Sequence, residues 1–202
     1  FVPALYAIIT YALIWLFGLG GIPTAELILD WAKELELVGI GTLSPTLAII
    51  VAVILLGTVG VIRSMATTLG EEIGWRGFFV YELRKVLSFT GVSIFSGIIW
   101  ASWHVPIMVA YGRNIALELA AFFVVIISMS FVMTYYTFKS KSLWPAVIFH
   151  SVSNVYIQKI LPPLTINIEG TEHWLAENGI MFAIVTLCFG VYFWRKAVKE
   201  NL

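Results

Sequence analysis

Glu71 and Glu72 stand side by side in a run of apolar and aromatic residues, with Arg76 four positions after Glu72. Residues four apart share a helix face, so Glu72 and Arg76 can neutralise one another. Glu71 then keeps no local cation, and a carboxylate of that kind is a candidate to take a proton from water. Two further pairs repeat the spacing, Trp100 with His104 and His150 with Asn154. A histidine can orient water or share its proton, while His150 and Asn154 offer two converging hydrogen-bond donors suited to an oxyanion. Each group also has a plainer role. The glutamates could belong to an interfacial helix with snorkelling charges, His104 could bond a carbonyl freed by Pro106, and His150 with Asn154 could join helices. Three plain roles at once are costly, because an ionisable side chain near the bilayer centre costs roughly 2.5–3.5 kcal/mol even on the most lenient scale. Ser102, Ser151 and Ser153 are present, but the groups are built on carboxylate and histidine, so water is the expected nucleophile.

The elements that must position these residues are membrane helices. The 202-residue chain is 60% hydrophobic and 12% charged, and its mean hydropathy is +0.94, outside the range of soluble domains. Basic and acidic residues balance at 12 each, so nothing points to nucleic acid. The single cysteine, Cys188, excludes an intramolecular disulfide framework and a cysteine-based metal cluster. The chain opens at Phe1 on an apolar run without a basic flank, which suggests that an N-terminal portion precedes it.

Apolar stretches near 2–20, 46–66, 91–111, 115–138, 143–161 and 178–195 predict an all-α, polytopic membrane bundle of about six transmembrane helices. Thr24 is a candidate N-cap in residues 21–45, where Leu27, Trp31 and Leu35 oppose Glu26, Asp30, Lys33 and Glu34, as in a short interfacial strap. Residues 68–87 read as a helical continuation of the second span, bent near Gly70 and leaving the membrane at Arg84 and Lys85. Arg63, Arg84, Lys85, Lys139, Lys141, Arg195, Lys196 and Lys199 fall on one side, and Lys33, Arg113 and Lys159 on the other. That bias puts both termini in the cytoplasm. With no repeat or long linker, residues 1–202 form one domain, its chemistry between 71 and 154.

On these residues the chain resembles the CAAX protease and bacteriocin-processing family, also called Abi, glutamate-type intramembrane proteases related to type II CAAX prenyl endopeptidases. The family's two glutamates and following arginine match Glu71, Glu72 and Arg76; its aromatic-to-histidine motif matches Trp100 and His104; its histidine-to-asparagine motif matches His150 and Asn154. Trp75-Arg76-Gly77 and Ser142-Leu143-Trp144-Pro145-Ala146 look like the family as well. Trp100 stands where phenylalanine is common, and members often have more spans than the six read here. The resemblance implies that Glu71 and His104 activate water, that His150 and Asn154 hold the oxyanion, and that Glu72 with Arg76 supports the site.

The function expected is thus a cell-membrane endopeptidase, open towards the cytoplasm, that cuts lipid-associated, lipidated or leader peptides without metal or other cofactor. Three rivals remain. Glu71, His104 and His150 could bind zinc, although no His-Glu-x-x-His helix is present. The cavity could serve a noncatalytic scaffold or immunity protein, and a transporter would use similar residues but lacks visible repeat symmetry.

Overall fold

The computed structural model describes residues 1–35, 42–112 and 114–202. Arg113 and residues 36–41 of the expected strap lie outside them. Helix α1, Val2–Leu16, starts on Pro3 and buries Tyr6, Ala7, Thr10, Tyr11 and Ile14 along one face. It stops short of the predicted residue 20 because Gly18 takes a left-handed φ of 65°, a conformation glycine adopts without penalty. The chain then pairs Gly21 with Ile166 through backbone hydrogen bonds of 2.8 and 3.0 Å.

Helix α2, Ala25–Glu34, is capped by Thr24, whose hydroxyl accepts from the Leu27 amide. Trp31 anchors it by donating to the Lys159 carbonyl at 3.1 Å. Helix α3 runs unbroken over Pro45–Arg84, 40 residues. At 1.5 Å per residue that is about 60 Å, twice a hydrocarbon core of about 30 Å. The bend expected at Gly70 is absent, since Gly70 lies inside the regular stretch Val61–Glu72. The irregularities are two π-helical turns, Leu56–Gly60 and Ile73–Phe79. In the first, Thr58 bonds back to the Ile54 carbonyl at 2.6 Å, which competes with the regular ladder.

Helix α4, Phe89–Tyr111, is capped by Ser88 and carries Pro106 internally. Helix α5, Ile115–Ser140, ends where Lys141 turns left-handed. Helix α6, Trp144–Asn154, passes into a third π turn, Val155–Ile160. Helix α7, Ile180–Lys199, closes the bundle. Four helices, Pro45–Arg84, Phe89–Tyr111, Ile115–Ser140 and Ile180–Lys199, are long and apolar enough to cross a membrane, and Val2–Leu16 is a shorter apolar one. The protein is an all-α, multi-pass membrane protein, in which the first and fifth expected spans form shorter helices.

Helix α5 is the central post, packed between α4 and α7. Small residues permit this. A Cβ on Gly97 would lie 2.8 Å from the Ile127 Cα, and one on Gly190 would lie 2.9 Å from the Ser128 Cα. Without a strong hydrophobic drive inside lipid, such close backbone approach supplies the packing energy. Gly97→Ala should therefore destabilise by about 1–3 kcal/mol, whereas Gly70→Ala, with nothing within 4 Å of the new Cβ, should be neutral or slightly stabilising. Equilibrium unfolding in neutral detergent checks the contrast, and equal effects would refute it.

The basic residues sort by end. Arg84 stacks on Phe138 at 5.9 Å and Lys139 pairs with Glu200 at 2.6 Å, which brings the C-terminal ends of α3, α5 and α7 together. The Lys139 ammonium holds the Glu200 carboxyl below its usual range. Arg63 does not join them. It lies mid-helix in α3 and shares a cavity wall with Lys159, because α3 continues a further 21 residues to Arg84 instead of ending at a loop. Arg195, Lys196 and Lys199 line one cavity with Glu200 at the Arg84 end.

Candidate active site

Thr68, Glu72 and Arg76 form a buried stripe on α3, spaced one helical turn apart. The stripe faces α6, and the polar groups of that helix answer it. Thr68 and Ser151 share a hydrogen bond of 2.6 Å. His150 Nδ1 lies 2.9 Å from Glu72 Oε1, the same oxygen that accepts from Arg76 Nη1 at 3.1 Å. Arg76 Nη2 donates to Ser130 Oγ on α5 at 3.3 Å. Glu72 is 0% exposed and Arg76 1%, so two opposite charges neutralise each other in an interior where an isolated one is prohibitive.

Trp100 on α4 is the partition of the site. The Arg76 guanidinium sits over its ring at 4.3 Å, a cation–π contact. The His150 ring meets it edge-on at 5.2 Å and the His104 ring at 6.4 Å. Glu72 Oε2, Arg76 Nε and Trp100 Nε1 are buried and make no hydrogen bond with the protein.

The histidine tautomers follow from their partners. His104 Nδ1 lies 3.0 Å from the Trp100 carbonyl, which can only accept, so Nδ1 carries the proton and the neutral ring offers Nε2 as a base. His150 Nδ1 donates to Glu72 in the same way. Its Nε2 is then a base in the neutral ring and a donor in the imidazolium.

Two cavities adjoin this cluster. One of about 310 Å³ is lined by His104, Phe122, Gln158, Glu177 and Asn178 among others. The other, about 410 Å³, is lined by Asn154, Arg63, Ser64, Thr67, Gln158 and Lys159 among others. Gln158 borders both and donates to Glu177 at 2.9 Å. Of the residues singled out by sequence, Glu72, Arg76 and His150 are in direct contact, His104 joins them through Trp100, and Asn154 borders the second cavity. Glu71 is exposed, next to the buried cluster and on neither cavity wall. Among the described residues no three His, Cys, Asp or Glu side chains converge as a metal site.

Sequence reasoning missed Ser130, Thr68 and Ser151 as partners. Ser128, Ser130 and Thr134 inside an apolar span were the available signal, since hydroxyls there face other helices rather than lipid. It also missed that π turns begin directly after Glu72 and directly after Asn154, so both helices change hydrogen-bond register at the site. Such turns favour functional positions.

The family model described as Type II CAAX prenyl endopeptidase Rce1-like matches residues 44–156, more than half of the chain. The chain belongs to that family. The Rce1-like stretch runs from the Ser44 cap of α3 into the π turn after Asn154, and so encloses every motif residue. A curated relative, the CAAX prenyl protease 2 of Methanococcus maripaludis, is 32% identical over 129 residues, covering 56% of this chain and 42% of the relative. The chain thus spans less than half of that relative's length. No solved structure matches.

Proposed function

We propose that this Rce1-like chain is a membrane-embedded endopeptidase acting on membrane-associated peptides, with prenylated C-terminal peptides as the first substrate class to test. The carrying observation is the buried contact of Glu72, Arg76 and His150 around Trp100, which brings all three motif helices to one place. In the proposed mechanism water attacks the scissile carbonyl carbon while its proton passes to Glu71 or to Nε2 of His104. The carbonyl oxygen becomes an oxyanion that accepts hydrogen bonds from the Asn154 amide and from Nε2 of an imidazolium His150. The C–N bond then breaks, and the proton taken from water goes to the leaving amine. Glu72 offsets the charge on His150, and Arg76 holds Glu72 in place.

The active site opens towards the cytoplasm of a cell membrane in this reading, supported by the basic residues gathered at the Arg84 end. The experiment is cleavage of a quenched, farnesylated peptide by purified protein in neutral detergent, with and without chelator. The expected result is chelator-resistant turnover that His104→Ala abolishes. Saturable peptide binding with no turnover would instead identify a scaffold, and chelator sensitivity would revive the metal route.

A further inference from the structure

Arg63 and Lys159 are both exposed on the wall of the 410 Å³ cavity, and neither has an ion-pair or side-chain hydrogen-bond partner among the described residues. Lys33, Lys85 and Lys139 pair with nearby carboxylates, whereas Lys141, Arg195 and Lys199 are as unpaired among the described residues as Arg63 and Lys159 but share no cavity wall with a motif residue. Glu177 lines the neighbouring cavity, where Gln158 holds it. Two cations brought from separate helices to one wall, in a protein whose outer surface faces lipid, create a local demand for an anion.

Asn154 lines the same cavity. We infer that Arg63 and Lys159 bind the free α-carboxylate at the C-terminus of the substrate peptide, and so set how far from that end the chain is cut. This rests on the endopeptidase reading for the role of Asn154. A volume of about 410 Å³ is at the low end of pockets for small ligands, about 300–1,000 Å³, and takes a few residues rather than a folded segment. With the scissile carbonyl at Asn154, an anion reaching Arg63 and Lys159 within that space lies a few residues downstream, at about 3.3 Å per extended residue. Every short C-terminal peptide carries an α-carboxylate there, whatever its side chains. Leu56 and Val155 add apolar surface to a wall that otherwise carries Ser64, Thr67 and Gln158, so the cavity accepts polar and apolar terminal residues alike. The planar guanidinium of Arg63 can grip both carboxylate oxygens, and Lys159 adds a point charge.

The test uses the purified chain in neutral detergent and one farnesylated, fluorescent peptide in three forms: free acid, C-terminal amide, and extended by four residues. Binding is read by anisotropy and cleavage by initial rate. The wild type should bind the acid at least about tenfold more tightly than the amide or extended form. Arg63→Gln with Lys159→Gln should reduce acid binding to the amide level and leave amide binding unchanged, while Arg63→Lys should keep part of the preference. No preference in the wild type, or a preference intact in the double variant, overturns the proposal. So does a double variant that loses only its affinity for phosphatidylglycerol nanodiscs, because the pair would then serve a lipid phosphate. A chain that selects the acid but cuts nothing refutes the endopeptidase and leaves the carboxylate site standing. A chain that cuts all three forms equally refutes the site and leaves the endopeptidase.

Discussion

Arg76→Met is expected to cost about 3–5 kcal/mol of stability, the largest loss of any single substitution in the site. The reason is the carboxylate it strands. Glu72 is fully buried, and its Oε1 is shared between Arg76 and His150. Oε2 lies 3.1 Å from Arg76 Nη1 but off the N–H direction, so it accepts no hydrogen bond. Once the guanidinium is gone, the charge keeps only the imidazole of His150. The guanidinium also packs on Trp100 and holds Ser130, and thereby joins α3 to α4 and α5. Replacing both partners, Glu72→Gln with Arg76→Met, should regain most of the loss, because a neutral amide can still accept from His150 Nδ1 without a buried charge. Equilibrium unfolding in detergent measures both variants. A cost under about 1 kcal/mol for Arg76→Met would mean that the pair is solvated, contrary to its burial.

The legibility of this fold in its sequence varies with the distance over which the signal acts. Thr24, Ser44 and Ser88 cap helices because their hydroxyls reach amides three residues on, and the Glu72–Arg76 pair follows from a single helical turn. Such local relations are visible without a structure. The side of the protein on which Arg63 lies is not. The sequence predicts that the helix continues past Glu71, and α3 does so without a break, but counting Arg63 among the basic residues of the Arg84 side places it at a helix end rather than in the middle of α3. The charges cost little there because a polar cavity receives Arg63 and buried partners receive Glu72. Hydropathy also extended α1 to residue 20, although Gly18 in the left-handed region ends it earlier. The π turns have no composition of their own. The contact of Ser130 with Arg76 joins residues 54 positions apart, and nothing in the local sequence of either one encodes it.

Glu71→Gln is expected to lower kcat/KM by about 10²–10⁴-fold, the range for loss of a general base, while stability changes by less than about 0.5 kcal/mol. Both parts follow from placement. Glu71 is exposed, so an amide of the same shape disturbs no packing, and it has the freedom to meet a water that Glu72 lacks. Glu72 is fully buried and held by Arg76 and His150, so its oxygens are engaged and no water reaches them. Glu72→Gln should accordingly reduce stability along with rate, since it leaves Arg76 unpaired. One outcome would reverse the assignment: Glu71→Gln nearly as active as wild type, and Glu72→Gln fully folded but inactive. His150 would then be the base through Nε2, with Glu72 as the carboxylate behind it, an arrangement that its 2.9 Å contact already permits. Rates normalised to folded protein decide between the two carboxylates.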